Sequence, residues 1–166
     1  MPRSRLRSQT GGFTLVEVMV VVLIISVLAT LAVPSIRLLR TRAKTAIIVS
    51  DFRTFDAAFS AYAQETGSWP ADTAAGVMPA GMSDRLNNTA WLRPTPMGGR
   101  YNWERNQLHF GIRYNAAIAI SATASSPLPL DVNQLYDIDR KGDDGNLFNG
   151  IFRIGSSLNP LWIVQP

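Results

Sequence analysis

The chain of 166 residues contains no cysteine and only one histidine. The absence of cysteine excludes a disulfide framework, a zinc site built on thiolates and a cysteine nucleophile. His109 has no second histidine or cysteine with which to share a metal, so we expect no ligand role for it. No combination of serine, histidine and acid stands out for nucleophilic catalysis. With 46% apolar and 17% charged residues, the chain is neither a disordered tail nor a polytopic membrane protein.

The basic residues are concentrated at one end of the chain. A net charge of +4 and a pI near 10.0 suggest an anionic partner at first sight. However, seven of the sixteen basic residues flank one hydrophobic segment: Arg3, Arg5 and Arg7 before it, and Arg37, Arg40, Arg42 and Lys44 after it. From residue 45 onward there are nine basic and eleven acidic residues, a net charge of −2. We therefore expect no nucleic-acid partner. The basic run 37–44 is either a solvated collar or a contact for acidic neighbours.

Residues 13–33 form an apolar run of 21 residues with one charge, Glu17. As a helix rising ~1.5 Å per residue, this run is about 30 Å long, which is the thickness of the hydrocarbon of a bilayer. We predict a leader at 1–12 and a transmembrane helix at 13–34.

The helical pattern continues beyond the apolar run. Ile48, Phe52, Phe55, Phe59 and Tyr62 recur at helical spacing and form one apolar stripe. We predict that 35–66 is an amphipathic continuation of the same helix, loosened or kinked at Pro34 and stopped at Gly67.

Residues 67–166 are predicted to form a globular head. Residues 67–99 are loop-like, with a short helix near 84–92, and strands follow at 101–104, 108–114, 116–121, 150–154 and 161–164. Turns are predicted at 105–106 and at 115. The fold class is therefore α+β, with a long N-terminal helix packed on a small antiparallel β-sheet. Trp69, Trp91, Trp103 and Trp162 are interpreted as packing residues.

The junction Gly11-Gly12-Phe13-Thr14-Leu15-Val16-Glu17 resembles the N-terminus of the type IV pilin and type II secretion pseudopilin superfamily, and the resemblance, including Pro34, covers about residues 11–66. It implies the pilin fold, cleavage between Gly12 and Phe13 by a prepilin peptidase, and N-methylation of Phe13. The mature chain would have 154 residues and a net charge of +1.

Glu17 needs a physical explanation because a carboxylate in hydrocarbon costs ~2.5–3.5 kcal/mol. The resemblance implies that Glu17 pairs with the N-terminal amine of a neighbouring subunit, and that Glu17 and Pro34 serve assembly. At ~4 Å and an effective dielectric of 20, such a pair contributes about 4 kcal/mol before desolvation. Two alternatives remain open: Glu17 lies at the membrane interface, or residues 1–32 are an ordinary secretory signal.

The segment Gly67-Ser68-Trp69-Pro70-Ala71-Asp72 resembles the one that follows the long helix in major pseudopilins, and the missing cysteines also favour that branch. We therefore expect a structural subunit, not an enzyme, that polymerises with identical or homologous pseudopilin subunits on an inner-membrane secretion assembly platform. It would cross the bacterial inner membrane once, with its head in the periplasm. The alternatives are a type IV pilin or minor pilin (adhesion, motility, DNA uptake) and a membrane-anchored periplasmic binding domain or enzyme.

The acidic stretch 137–146 is the one metal candidate. Pseudopilins often bind calcium in a C-terminal loop, so the resemblance makes Asp137, Asp139, Asp143 and Asp144 candidate calcium ligands, although the EF-hand pattern fails. The alternative is structural. Asp131 caps a short helix that has Val132, Leu135 and Tyr136 on its inner face and ends near Gly142, and a turn follows. No cofactor is expected to be required.

Overall fold

A computed structural model describes residues 12–86 and 88–166, without the side chains at 31, 32, 34, 35, 88 and 89. The predicted leader therefore lies almost wholly outside the described residues. The elements are α1 (Leu15–Thr66), α2 (Asn88–Trp91), β1 (Arg100–His109), β2 (Ile112–Ser121), α3 (Val132–Gly142), β3 (Phe152–Ile154) and β4 (Pro160–Gln165). The strands form one antiparallel sheet in the order β1-β2-β4-β3. The predicted α+β architecture is confirmed.

Helix α1 is continuous across the predicted boundary between the apolar run and its amphipathic continuation. It ends as predicted at Gly67, which has a φ of 73° and donates its N–H to the Ala63 carbonyl at 2.9 Å. Pro34 lies inside α1, but its side chain is outside the description. The chain divides into two compact units, one ending at Leu39 and the other comprising Arg40–Pro166.

The first unit has an apolar surface. Large apolar side chains of α1 are about half or more exposed all along this unit, for example Leu15 at 75% and Leu28 at 60%. Even so, no helix in the described residues combines the length and the apolar character that a membrane crossing requires. The transmembrane helix predicted over 13–34 is not confirmed by this finding and stays a prediction.

The core of the second unit is aromatic and lies between α1 and one face of the sheet. The predicted stripe faces this core, since Ile48, Phe52 and Phe59 are fully buried. Phe59 stacks on Trp103 with 3.7 Å between ring centroids, and Phe52 stacks on Trp162 at 5.4 Å. The predicted packing of the amphipathic half of the helix on the sheet is confirmed.

Polar residues of α1 fix the angle at which it meets the rest of the second unit. Asp51 accepts a hydrogen bond from the Tyr101 hydroxyl at 2.8 Å, and Asp56 accepts one from the Trp162 indole at 2.9 Å. Burial raises the pKa of the Asp51 carboxyl, while the bond from Tyr101 opposes that rise.

The β1–β2 hairpin corrects two predicted turns and one predicted strand. The turn predicted at 105–106 lies inside β1, and the one predicted at 115 lies inside β2. The true turn falls in the middle of the predicted strand 108–114, at Phe110 (φ 48°) and Gly111 (φ 83°). Two consecutive positive φ values fit a type I′ turn. The Phe-Gly pair at this turn lacks the asparagine or aspartate that usually precedes the glycine, so the turn was not predicted. Asn106 does take a positive φ of 57°, but the strand continues through it.

Helix α3 confirms most of the structural alternative for the acidic stretch. Asp131 is its N-cap and accepts hydrogen bonds from the N–H groups of Asn133 and Gln134. The helix ends at Gly142, as predicted. Leu135 is buried, but Val132 is 57% exposed, so its predicted inward position is wrong.

Candidate functional site

The peptide bond predicted for cleavage joins two exposed residues at the start of the described chain. A side chain built at Gly12 would meet no atom within 4 Å, and Phe13 is 87% exposed. Helix α1 begins at Leu15, so the bond precedes the first helical residue by two positions. Exposed, uncrowded backbone of this kind is accessible to a protease.

Thr14 and Glu17 form a capping box at the start of α1. Glu17 Oε2 accepts hydrogen bonds from the Thr14 backbone N–H at 2.8 Å and from its hydroxyl at 2.9 Å. In return, Thr14 Oγ1 accepts the Glu17 N–H at 3.2 Å. This reciprocal pair satisfies backbone donors that a helix start leaves without partners. This role of Thr14 was not predicted, although threonine followed three residues later by glutamate is the sequence signal of a capping box.

The capping box uses only one carboxylate oxygen of Glu17. Among the described residues, all the hydrogen bonds to this side chain reach Oε2, and none reaches Oε1. Glu17 forms no ion pair with a described residue. The side chain is therefore held in place while its charge is left available to a cation from outside the chain.

The 67–72 segment connects the end of α1 to the sheet. The Pro70 carbonyl accepts the Trp103 indole N–H at 3.1 Å, and Trp69 donates its own indole N–H to Gln165. Asp72 accepts the Arg105 backbone N–H at 3.0 Å. The motif that carried the resemblance to major pseudopilins thus has a structural role in this chain.

Three of the four predicted calcium ligands converge at the end of α3. Asp139, Asp143 and Asp144 each offer a carboxylate oxygen, and these oxygens all lie within 4.8 Å of one another. Asp137 is not part of this group. Asp139 is fully buried, and its Oδ2 has no hydrogen-bond partner among the described residues. Burial raises the pKa of the Asp139 carboxyl, the hydrogen bond from the Gly145 N–H lowers it, and the neighbouring Asp144 and Asp143 carboxylates raise it further.

Asp143 also holds the edge of the sheet. Its Oδ2 accepts the backbone N–H groups of Ile151 and Phe152, the latter at 2.9 Å. Asp139 Oδ1 accepts the Gly145 N–H at 3.2 Å. The carboxylate cluster is thus positioned by the loop that leads from α3 to β3, and oxygen donors of this kind suit Ca²⁺.

The structure also brings an acid, a histidine and a serine together, which the sequence analysis did not foresee. His109 Nε2 lies 2.7 Å from Glu104 Oε2, and His109 Nδ1 accepts the Ser156 backbone N–H at 3.3 Å. Burial raises the pKa of Glu104, and the neighbouring His109 opposes that rise. Both ring nitrogens are engaged within the fold, so the group joins the end of β1 to the β3–β4 turn.

Comparison with known proteins agrees with the N-terminal geometry. The family described as "Prokaryotic N-terminal methylation motif" matches residues 7–33. The chain is similar to the Type II secretion system core protein G of Pseudomonas aeruginosa, with 38% identity over 64 residues. That match covers 39% of this chain and 45% of that protein, so it spans less than half of the relative's length.

A solved structure shares the fold. The major Type IV pilin PilA1 from Clostridium difficile superposes with a TM-score of 0.52 at 15% identity. The superposition covers 76% of this chain and 97% of the pilin. The predicted pilin fold is therefore confirmed.

Proposed function

We propose that the chain is a structural pseudopilin subunit of a type II protein secretion system, and so a member of the superfamily of type IV pilins and type II secretion pseudopilins, as the matches at its N-terminal end support. A prepilin peptidase cleaves it between Gly12 and Phe13 and methylates the new amine of Phe13. The apolar segment holds the chain in the inner membrane with its head in the periplasm. The processed subunits then polymerise on the assembly platform of the secretion system.

The observation that carries this proposal is the geometry of the N-terminal junction. An exposed, uncrowded bond precedes a capping box that fixes Glu17 and leaves its Oε1 without a hydrogen-bond partner in the part of the chain that the structure describes. Cleavage places a new amine four residues before Glu17, and an amine with an ordinary pKa of ~7.7–8.0 is largely cationic near neutral pH. The amine of one subunit and the carboxylate of the next are then complementary in charge.

The test is mass spectrometry of the chain produced together with a prepilin peptidase. We expect a mature N-terminus at Phe13 carrying one methyl group. The matched variants are Gly12→Leu, which places a bulky side chain beside the bond to be cut, and Gln64→Leu, which places the same side chain at a distant exposed position of α1. An N-terminus elsewhere, or equal processing of the Gly12→Leu chain and its parent, would contradict the processing assignment.

The secretion role is separated from a pilus role by complementation. We expect the gene to restore type II secretion in a strain that lacks its major pseudopilin. Restoration of twitching motility or DNA uptake in a strain without its major pilin, with no effect on secretion, would instead assign the chain to the type IV pilins.

We further propose that Asp139, Asp143 and Asp144 bind calcium. The supporting observation is the buried Oδ2 of Asp139, which has no hydrogen-bond partner among the described residues. A buried polar atom without a partner destabilises the fold unless a ligand satisfies it. The cation would also reduce the mutual repulsion of three neighbouring carboxylates.

The calcium proposal is tested by melting the full chain in detergent with and without calcium. A ligand at one hundred times its Kd stabilises the folded state by about 2.7 kcal/mol, which raises Tm by roughly 5–10 °C in a chain of this size. Asp139→Asn should abolish the shift. Asp137→Asn, which changes the same charge on the same helix, should keep it. A parent chain that melts at the same temperature with and without calcium would refute the proposal.

A further inference from the structure

The loop between α3 and β3 contains the one Asn-Gly pair of the sequence, Asn149-Gly150. Asn149 is exposed, and Gly150 has a φ of 74°. Asparagine before glycine is the pair in which a backbone nitrogen most easily reaches a side-chain amide, because glycine has no Cβ to obstruct the approach. The loop therefore carries the chemical requirements for a spontaneous backbone reaction.

Both reacting groups of this pair are free of hydrogen bonds among the described residues. The Asn149 side-chain amide has no partner, and the Gly150 N–H donates to no acceptor. The flanking groups are held, because the Asn149 N–H donates to the Asn146 carbonyl at 2.9 Å and the Gly150 carbonyl accepts Arg153 Nε at 2.7 Å. The loop is thus held on both sides of the pair, while the Gly150 nitrogen (the nucleophile) and the Asn149 side-chain amide (the electrophile) form no hydrogen bond with a described residue.

The neighbouring Asp144-Gly145 pair provides an internal contrast. Its chemistry is related, but the Gly145 N–H donates to Asp139 Oδ1 at 3.2 Å, and Asp144 Oδ1 accepts the Asn146 N–H at 2.7 Å. Both potential reactants of that pair are therefore engaged within the folded loop. The fold protects one pair and leaves the other accessible.

We propose that Asn149 is a site of spontaneous deamidation in the folded protein. The Gly150 backbone nitrogen loses its proton to hydroxide or a base and attacks Asn149 Cγ. The new N–Cγ bond closes a succinimide ring, and the Cγ–Nδ2 bond breaks with release of ammonia. Water then adds to either ring carbonyl and opens the ring to aspartate or isoaspartate. The reaction needs no oxidant, reductant or enzyme.

The product alters the loop that covers β3. The backbone at Gly150 lies directly against the Asp143 carboxylate, which accepts the N–H groups of Ile151 and Phe152. Isoaspartate inserts one extra carbon into the backbone at this point, and either product adds a negative charge beside the acidic loop. Deamidation therefore loosens the attachment of β3, and it does so irreversibly as the protein ages.

The test follows the full chain, purified in detergent, by peptide mass spectrometry during prolonged incubation. We expect conversion at 149 ahead of every other asparagine, at a rate that rises about tenfold per pH unit, as the deprotonated fraction of a weak acid does. Asn149→Gln should remove the product. Isomerisation at Asp144 should become detectable only when the chain is unfolded in denaturant.

Two outcomes overturn the proposal. One is a folded chain in which Asn149 stays intact while the unfolded chain converts, since the fold would then protect the pair. The other is conversion at 149 that is no faster than at the other asparagines. Neither outcome bears on secretion or on calcium, because the reaction depends only on the local geometry.

Discussion

Exchanging Glu17 for glutamine removes the negative charge but keeps a side-chain oxygen that accepts the Thr14 N–H. Exchanging Thr14 for valine does the reverse, because it deletes the hydroxyl of the capping box and leaves the carboxylate charged. In the structure, two donors of Thr14 share Glu17 Oε2, and one hydroxyl accepts the Glu17 N–H. The two variants therefore separate helix capping from charge pairing, which an alanine at position 17 would remove together.

The expected magnitudes differ enough to be distinguished. Loss of the N-cap hydroxyl costs about 1 kcal/mol of helix stability, roughly a fivefold effect on an equilibrium. Loss of an amine–carboxylate pair at ~4 Å removes about 4 kcal/mol of attraction at an effective dielectric of 20, before desolvation is considered. If pairing governs assembly, Glu17→Gln should abolish fibres, whereas Thr14→Val should reduce them only moderately.

Fibre assembly is measured by shearing fibres from cells that overproduce the secretion machinery and quantifying the subunit in the sheared fraction. Total subunit and the processed N-terminus are measured in the same cells as controls for expression and cleavage. Normal assembly of the Glu17→Gln chain, together with failure of the Thr14→Val chain, would refute the pairing role. It would show that Glu17 acts through the helix cap alone.

Three further predictions, two of them with a control variant, concern the second unit and are tested by thermal melting. Phe59 is fully buried and stacks on Trp103, so Phe59→Ala should lower the free energy of unfolding by about 3–5 kcal/mol. The control Phe148→Ala changes a side chain that is 73% exposed and should alter stability by less than about 0.5 kcal/mol. Similar losses in the two variants would refute the packing of Phe59 in the core. Gly111→Ala should lower the free energy of unfolding by about 1–2 kcal/mol, because the φ of Gly111 is 83°. Phe110→Asn should not destabilise the protein, because asparagine suits the positive φ at that position. A Gly111→Ala chain as stable as its parent would argue against the type I′ turn. Burial raises the pKa of Asp51, so the folded state favours the protonated carboxyl. The folded state therefore loses stability as the pH rises from the ordinary aspartate pKa through the raised pKa of the folded protein. Asp51→Asn should therefore raise Tm at neutral pH but not below the ordinary pKa, and equal effects at both would contradict this reasoning.

The long helix could be predicted from the sequence because its signals are local and agree with one another. The spacing of Phe52, Phe55 and Phe59 follows the helical period, and Gly67 supplies the conformation that ends the helix. The polar partners of that helix could not be predicted. The bonds of Asp51 to Tyr101 and of Asp56 to Trp162 join residues 50 and 106 positions apart, and helical periodicity does not encode such pairs.

The errors at the hairpin and at the N-terminal junction have different causes. At the hairpin, Phe110 occupies a positive φ that favours Asn or Gly, so the tertiary structure overrides the residue preference. At the junction, Thr14 and Glu17 stand at the spacing of a capping box, but only the charge of Glu17 was interpreted, because the family resemblance implies a role for that charge alone. The carboxylate cluster was predicted as a group, yet only the fold separates Asp137 from Asp139, because both lie on one helix and differ in what surrounds them.

Each edge strand of the sheet is covered along part of its length, and this limits how copies of the second unit can associate. Along the outer side of β1, the Trp103 carbonyl accepts the Thr73 N–H at 3.2 Å, and the Arg105 N–H donates to Asp72. Along β3, the N–H of Phe152 donates to Asp143, and that of Ile154 donates to the Leu147 carbonyl at 3.0 Å. An aspartate at each edge thus occupies a backbone donor that a strand of another copy would need. Strand addition is disfavoured at these positions, whereas the large apolar side chains of α1 that the structure describes before Arg40 are about half or more exposed. This exposed apolar surface is consistent with the polymerisation through α1 that is proposed for a pseudopilin.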